Sequence, residues 1–149
     1  LPVEDRELVL VNLHLEAYDS GEGKKAQMKV LADFLKSEYA KGNYCVAGGD
    51  FNANFPGAEA NFPLTNTEYF VPGTIEPDML EGWTFAADSA VPSARLLDKP
   101  YNGAAKDNQF YCLDGFLVSP NVQVDSVKTI DLDFRNSDHN PVILTFTLL

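Results

Sequence analysis

The sequence predicts a mixed α/β domain (α+β in some schemes), with one long amphipathic helix against a mixed sheet. Two observations carry that expectation. Apolar, β-branched runs recur at residues 8–15, 44–49, 110–118 and 142–149. A single helical periodicity, residues 24–41, separates the first two of them. Strand, helix, strand in that order implies a crossover connection, which keeps its two strands parallel or in one mixed sheet.

Each element has its own signature. Leu8-Val9-Leu10-Val11-Asn12-Leu13-His14-Leu15 reads as a strand whose polar residues Asn12 and His14 stand two apart and so face the same way. Taken alone, His14 reads as a hydrogen-bonded core histidine. Residues 16–23 form a polar, glycine-containing loop. Met28, Leu31, Phe34, Leu35 and Tyr39 then recur at spacings of three and four and make one apolar helix face. Gly42 stands where a left-handed cap would sit, and Lys36 and Lys41 suit the negative end of the helix dipole. This helix is packing, not chemistry.

The strand Tyr44-Cys45-Val46-Ala47-Gly48-Gly49 ends in Asp50-Phe51-Asn52-Ala53-Asn54. Residues 55–107 hold Pro56, Pro63, Pro72, Pro77, Pro92 and Pro100, which marks an irregular region. Only Gly82-Trp83-Thr84-Phe85-Ala86 reads as a brief strand there. So long an irregular segment inside a domain is functional or mobile. Residues 110–118 form a buried strand interrupted by Asp114. Residues 122–134 alternate as a strand (Val122, Val124, Val127, Ile130), and the apolar run 142–149 closes the chain.

Length and charge narrow the function. The 149 residues fit one domain, and 45% hydrophobic with 22% charged residues is a globular composition. The chain opens on Leu1-Pro2-Val3 without Met, so a piece of a longer protein is expected. No apolar run approaches the roughly 20 residues needed to span a bilayer. The net charge is -11, and Lys24-Lys25 are the only adjacent basic residues. A large nucleic-acid interface, which needs a basic patch, is disfavoured, although bound divalent cations would partly reverse the local field. Cys45 and Cys112 each lie in an apolar run and read as buried free thiols; two cysteines make no metal site.

The residues that carry chemistry share one property: each interrupts or ends an apolar strand. They are Asn12 and His14, Asp50 and Asn52, Asp114, and the pair Asp138-His139 in Asn136-Ser137-Asp138-His139-Asn140-Pro141-Val142. A buried unpaired carboxylate costs several kcal/mol, so such groups persist where they are paired, metal-bound or at a strand end. One aspartate of this kind has a structural account. Three aspartates and two histidines form a constellation that folding alone does not require, and sites in open α/β sheets gather at strand ends.

In these motifs the chain resembles the endonuclease/exonuclease/phosphatase superfamily. Gly49-Asp50-Phe51-Asn52, the strand with Asn12-Leu13-His14-Leu15, the strand with Leu113-Asp114, and Ser137-Asp138-His139-Asn140-Pro141-Val142 follow in the family's order. The resemblance covers nearly the whole chain, as the C-terminal part of the family's domain. It implies part of a four-layer αββα sandwich and metal-assisted hydrolysis of a phosphate ester. His139 would be the general base, held through its other ring nitrogen by Asp114. Asp50 would orient or activate the attacking water, Asn52 would donate to a phosphoryl oxygen, and His14 would stabilise charge on the phosphate. Asp138 would contribute to a site for Mg²⁺ or another divalent cation. The family pattern gives Asn12 no firm role. Arg95 and Tyr101, in the variable loop, would contact substrate phosphate, with a solvated loop as the simpler reading.

The family's N-terminal half supplies an Asn near the first strand and a Glu that is its main Mg²⁺ ligand. Neither has a place here, so the parent protein is expected to be the enzyme and this piece an insufficient one. One sheet of a sandwich alone would leave an apolar face exposed, covered by the remainder of its domain or by self-association. Three functions stay open: a phosphodiesterase or phosphatase for a small or lipid-linked ester, in a secreted or surface-associated bacterial setting; a nuclease with the same catalytic residues; and a non-catalytic binding domain. A basic strip interleaved with aromatics would favour the nuclease, and this chain lacks it.

Overall fold

The computed structural model describes residues 1–18, 21–103 and 108–149. Strand β1 (Pro2–Val3) turns back onto β2 (Arg6–His14), which leads through helix α1 (Glu22–Ala40) to β3 (Tyr44–Asp50). The crossover makes β2 and β3 parallel, with Leu8 beside Tyr44 and His14 beside Asp50. Through the irregular region run β4 (Ala53–Asn54), β5 (Gly73–Thr74), β6 (Thr84–Ala86), β7 (Ala94–Arg95) and two short 3-10 turns (Ala58–Ala60 and Pro77–Leu80). Then follow β8 (Phe110–Tyr111), β9 (Asp114–Val118), β10 (Val122–Thr129) and β11 (Val142–Leu148). The main sheet has the order β1-β2-β3-β9-β6 and is mixed; β10-β11, β4-β5 and β7-β8 form separate two-stranded sheets.

The main sheet is covered on both faces, and strand alternation decides which residues go where. Val9, Val11 and Leu13 of β2, with Cys45 and Ala47 of β3 and Leu117 of β9, pack under Met28, Leu31, Ala32 and Leu35 of α1. On the other face Leu8, Tyr44, Val46, Phe116 and Val118 meet Val122, Val124, Leu144, Phe146 and Leu148 of the β10-β11 hairpin. The expectation of one sheet with a bare apolar face is therefore too simple. The hairpin supplies a second layer, because inward residues of β10 and β11 alternate with outward Thr145 and Thr147. What stays open on that face is narrower: Leu10, 55% exposed, in line with the exposed Asn12 and His14.

Three boundaries and the buried helix face differ from the sequence reading. The helix starts at Glu22, after Gly21 with φ 93°, and its buried face is Met28, Leu31, Ala32 and Leu35. Phe34 lies outside that stripe and is exposed, and Tyr39 packs edge-on against Trp83 at 5.8 Å between ring centres. The run at 110–118 is two strands in two sheets. The carbonyls of Cys112 and Leu113 accept from Phe55 (3.4 Å) and Phe51 (3.0 Å), so the turn after β3 occupies the backbone between them. Strand β10 stops at Thr129, and the segment after it turns left-handed at Asp133 and Phe134, with φ of 54° and 47°.

Two glycines let the strands close up near the site. At Gly49, φ is 146° and a Cβ would run into the carbonyl of Leu13 on β2. At Gly115, a Cβ would lie 2.5 Å from the ring of Phe55 and 2.6 Å from the carbonyl oxygen of Ala86. Side chains at either position would push apart strands whose ends carry the polar residues described next.

Candidate active site

Register alone lines up three of the polar residues. His14 is the partner of Asp50 across the parallel pair, and Asp50 is the partner of Asp114 across the antiparallel pair. Residues directly opposite in a sheet share a face, so the three side chains stand in a row at one end of the sheet, on the hairpin side. His139 arrives from elsewhere. It precedes β11 and forms a bridge with Ala94 of β7, fixed by Arg95 N–H donating to the Asp138 carbonyl (3.0 Å) and Asn140 N–H to the Ser93 carbonyl (2.8 Å). Buried Asn140 holds this loop from within: its amide donates to the Pro92 carbonyl (3.0 Å) and its oxygen accepts from Leu132 N–H (3.1 Å).

The row converges on Asp50. Its Oδ2 lies 3.3 Å from His14 Nε2 and 3.6 Å from His139 Nε2. Asp114 Oδ2 lies 2.8 Å from His139 Nδ1, so a carboxylate fixes that nitrogen as the protonated one and turns Nε2 toward Asp50. Asp114 is itself held by Ser93, whose hydroxyl donates to Asp114 Oδ2 (2.8 Å) and accepts from the N–H groups of Leu113 (2.9 Å) and Asp114 (3.0 Å). Ser93 is fully buried. Its place in the site was not legible in the sequence, where it is one small polar residue in a loop.

Asn52 is a turn residue as well as a polar one. Its backbone is left-handed (φ 47°), which asparagine tolerates, and its N–H donates to Asp50 Oδ1 (2.8 Å). Its side-chain amide donates to the Leu15 carbonyl (2.8 Å) and lies 3.4 Å from His14 Nε2. The ammonium of Lys24 donates to the Asn52 carbonyl (2.6 Å), which ties the start of α1 to this turn. His14 is not the core histidine that its strand alone implies: its side chain is 74% exposed, against 30% for His139. The strand's alternation sends Leu13 into the helix-side core and His14 to the open strip.

The electrostatics follow from this crowding. Burial pushes the Asp50 carboxyl above its usual range and the Asp114 charge adds to that, while the Asn52 N–H and the two histidines pull it back. Burial works against the charged form of His139, but the hydrogen bond and charge of Asp114, with Asp50 and Asp138, outweigh it and hold the imidazole above its ordinary value. An imidazole held basic by one carboxylate and facing a second can accept and pass on a proton.

Asp138 lines the same cleft as His139 and Asn52. Among the described residues, no three His, Cys, Asp or Glu side chains come together so as to hold a metal ion. The donors present therefore do not by themselves fit the Mg²⁺ site that the family pattern implies. Arg95 also lines the cleft, but its guanidinium donates to the Leu96 carbonyl (3.1 Å) and lies 5.3 Å from the Tyr101 ring centre. Tyr101 stands outside the cleft, its hydroxyl donating to Asp133 Oδ1 (3.0 Å), in an adjoining hollow with Phe134 and Arg135. The structure thus brings together His14, Asp50, Asn52, Asp114, Asp138 and His139, with Arg95 at the rim and Tyr101 beyond it.

No family model and no curated protein matches the sequence. Solved structures do. A 3′ phosphatase from Neisseria bound to a product DNA hairpin superposes with a TM-score of 0.60 at 24% identity, over 93% of this chain and 60% of that one. The Bacteroides thetaiotaomicron mannosyl-6-phosphatase gives 0.56 at 15% identity, over 93% and 51%. An endonuclease/exonuclease/phosphatase protein from Beutenbergia cavernae gives 0.55 at 16%, over 91% and 34%. The chain thus spans about a third to three-fifths of the length of these proteins. Its architecture is part of the endonuclease/exonuclease/phosphatase fold.

Proposed function

We propose that the protein containing this chain hydrolyses a phosphate ester at the strand-end cluster. The observation that carries the reading is the meeting of two imidazole Nε2 atoms on Asp50 Oδ2, with the inner ring fixed by Asp114 at 2.8 Å. Phosphatases and a DNA-bound phosphatase among the fold's solved members support phosphoester chemistry in general.

In the neutral ring, His139 donates Nδ1–H to Asp114 and keeps the lone pair on Nε2, beside Asp50. Asp50 orients a water there, and His139 Nε2 takes its proton as the oxygen attacks phosphorus. Asp114 stabilises the imidazolium without itself being protonated. The P–O bond to the organic group breaks, and the leaving oxygen collects a proton from His139 or from solvent. His14 opposes negative charge on the phosphoryl oxygens, and the amide hydrogen of Asn52 not held by the Leu15 carbonyl donates to the same oxygens. Asp138 would serve a divalent cation such as Mg²⁺ only with ligands beyond those described, and no step here runs through one. Arg95 and Tyr101 are assigned to the distal part of the substrate.

A nuclease is the second reading, favoured by the DNA hairpin in the Neisseria structure and opposed by the net charge of -11. A non-catalytic binding domain is the third. The strip around Leu10 is assigned to the remainder of the domain, or to a second copy. Hydrolysis of 4-nitrophenyl phosphate, bis(4-nitrophenyl) phosphate and plasmid DNA, with Mg²⁺ and after EDTA, separates these readings. Turnover of the small esters with DNA left intact is expected. Preference for DNA would establish the nuclease, and no turnover of any of the three would leave only binding.

A further inference from the structure

The catalytic cleft has an aromatic wall that the proposed chemistry does not use. Besides Asn52, Asp138 and His139, it is lined by Tyr18, Phe70 and Tyr111. The three rings form an edge-to-face chain, Tyr18 to Phe70 at 5.7 Å and Phe70 to Tyr111 at 5.5 Å between centres. Its inner members are fixed. Tyr111 and Phe70 are buried, and the Tyr111 hydroxyl donates to the Phe70 carbonyl at 3.3 Å. Tyr18 is different: it is 77% exposed, on the loop that follows the strand of His14.

An exposed tyrosine set edge-on against a rigid buried pair, beside the reacting groups, is a poor arrangement for solubility and a good one for holding a ring. The hollow holds about 60 Å³, too little to engulf an organic group, so such a group lies across the rim where Tyr18 stands. Neither the acidic surface nor the cleft's few cations suits a polyanion. Resting on the phosphoesterase reading, we infer that Tyr18, supported by Phe70, is a specificity residue that binds an aromatic ring carried by the phosphate ester.

Binding of non-hydrolysable probes tests this apart from turnover. Phenylphosphonate and methylphosphonate are titrated by calorimetry into the protein containing this chain, as wild type, Tyr18→Ala and Tyr18→Phe. The wild type should bind phenylphosphonate about tenfold more tightly than methylphosphonate. Tyr18→Ala should abolish that ratio, with methylphosphonate affinity kept, and Tyr18→Phe should retain it. Because Tyr18 is exposed, an unchanged thermal midpoint will show that each variant is folded. Equal affinity for the two probes in the wild type, no binding of either, or a ratio that survives Tyr18→Ala would each overturn the inference. A failure of the hydrolytic reading itself would show instead as absent turnover of every ester.

Discussion

The two histidines meet the same carboxylate oxygen and are held in opposite ways. His139 comes from a loop, yet its ring is fixed by a chain of part-buried hydrogen bonds: the Ser93 hydroxyl to Asp114, and His139 Nδ1–H to Asp114 at 2.8 Å. His14 comes from the end of a long strand, yet its ring has only shared contacts. One nitrogen, Nε2, lies 3.3 Å from Asp50 and 3.4 Å from the Asn52 amide, so its proton position decides whether it donates to the first or accepts from the second. Secondary structure fixes where a side chain starts; buried polar partners fix where its proton is. On the proposed reading, the inner histidine transfers a proton and the outer one answers charge.

The largest expected effect separates the two rings. His139→Ala should lower kcat/KM on a phosphate ester by about a hundredfold to ten-thousandfold, the range for a positioned general base. His14→Ala, which removes an exposed and solvent-screened imidazole, should cost about tenfold. Equal losses would erase the contrast. Next in size is a backbone effect: Gly49→Ala, placing a methyl against the Leu13 carbonyl, should destabilise the fold by about 3 kcal/mol in urea titration. Ser93→Ala should cost about 1–3 kcal/mol, because it strips a donor from Asp114 and orphans two N–H groups. It should also lower activity more than the corresponding change at Asn52's neighbour Ala53 to Gly, whose side chain faces the helix-side core.

The pH profile sharpens the same contrast. Asp114 raises the pKa of His139, so the ring stays protonated to higher pH, and the acid limb of kcat/KM should lie above the ordinary imidazole range near 6.5. Asp114→Asn removes the anion that favours the charged ring, and the limb should move to lower pH along with the loss of rate. The smallest effect is an absence of reaction: burial pushes the thiols of Cys45 and Cys112 up to about 11 and about 12. Neither should react with a disulfide reagent at pH 8 until the protein is unfolded.

Much of this was legible in the residues. Strand, helix, strand pointed to β2 and β3 as parallel or in one mixed sheet, and their register sets His14 beside Asp50; Asp114 joins the row only through the separate register of β9 on β3. The irregular region was legible only as irregular. Its short strand β7 matters most, since it directly follows Ser93 and holds the loop of His139, but a two-residue strand has no periodicity to read. The split of 110–118 into β8 and β9 was hidden for a related reason: an unbroken apolar run does not record that the turn after β3 takes its middle carbonyls. The exposure of His14 depends on how far the hairpin reaches across the sheet, which no local pattern encodes.

A double-mutant cycle tests the central claim, that Asp114 and His139 act as one unit on the reacting groups. The kcat/KM for 4-nitrophenyl phosphate is measured for wild type, His139→Ala, Asp114→Ala and the double variant of the protein containing this chain. The double variant should be little slower than His139→Ala alone, since Asp114 acts chiefly through that ring. Losses that multiply, or a His139→Ala variant as active as the wild type, would contradict the account.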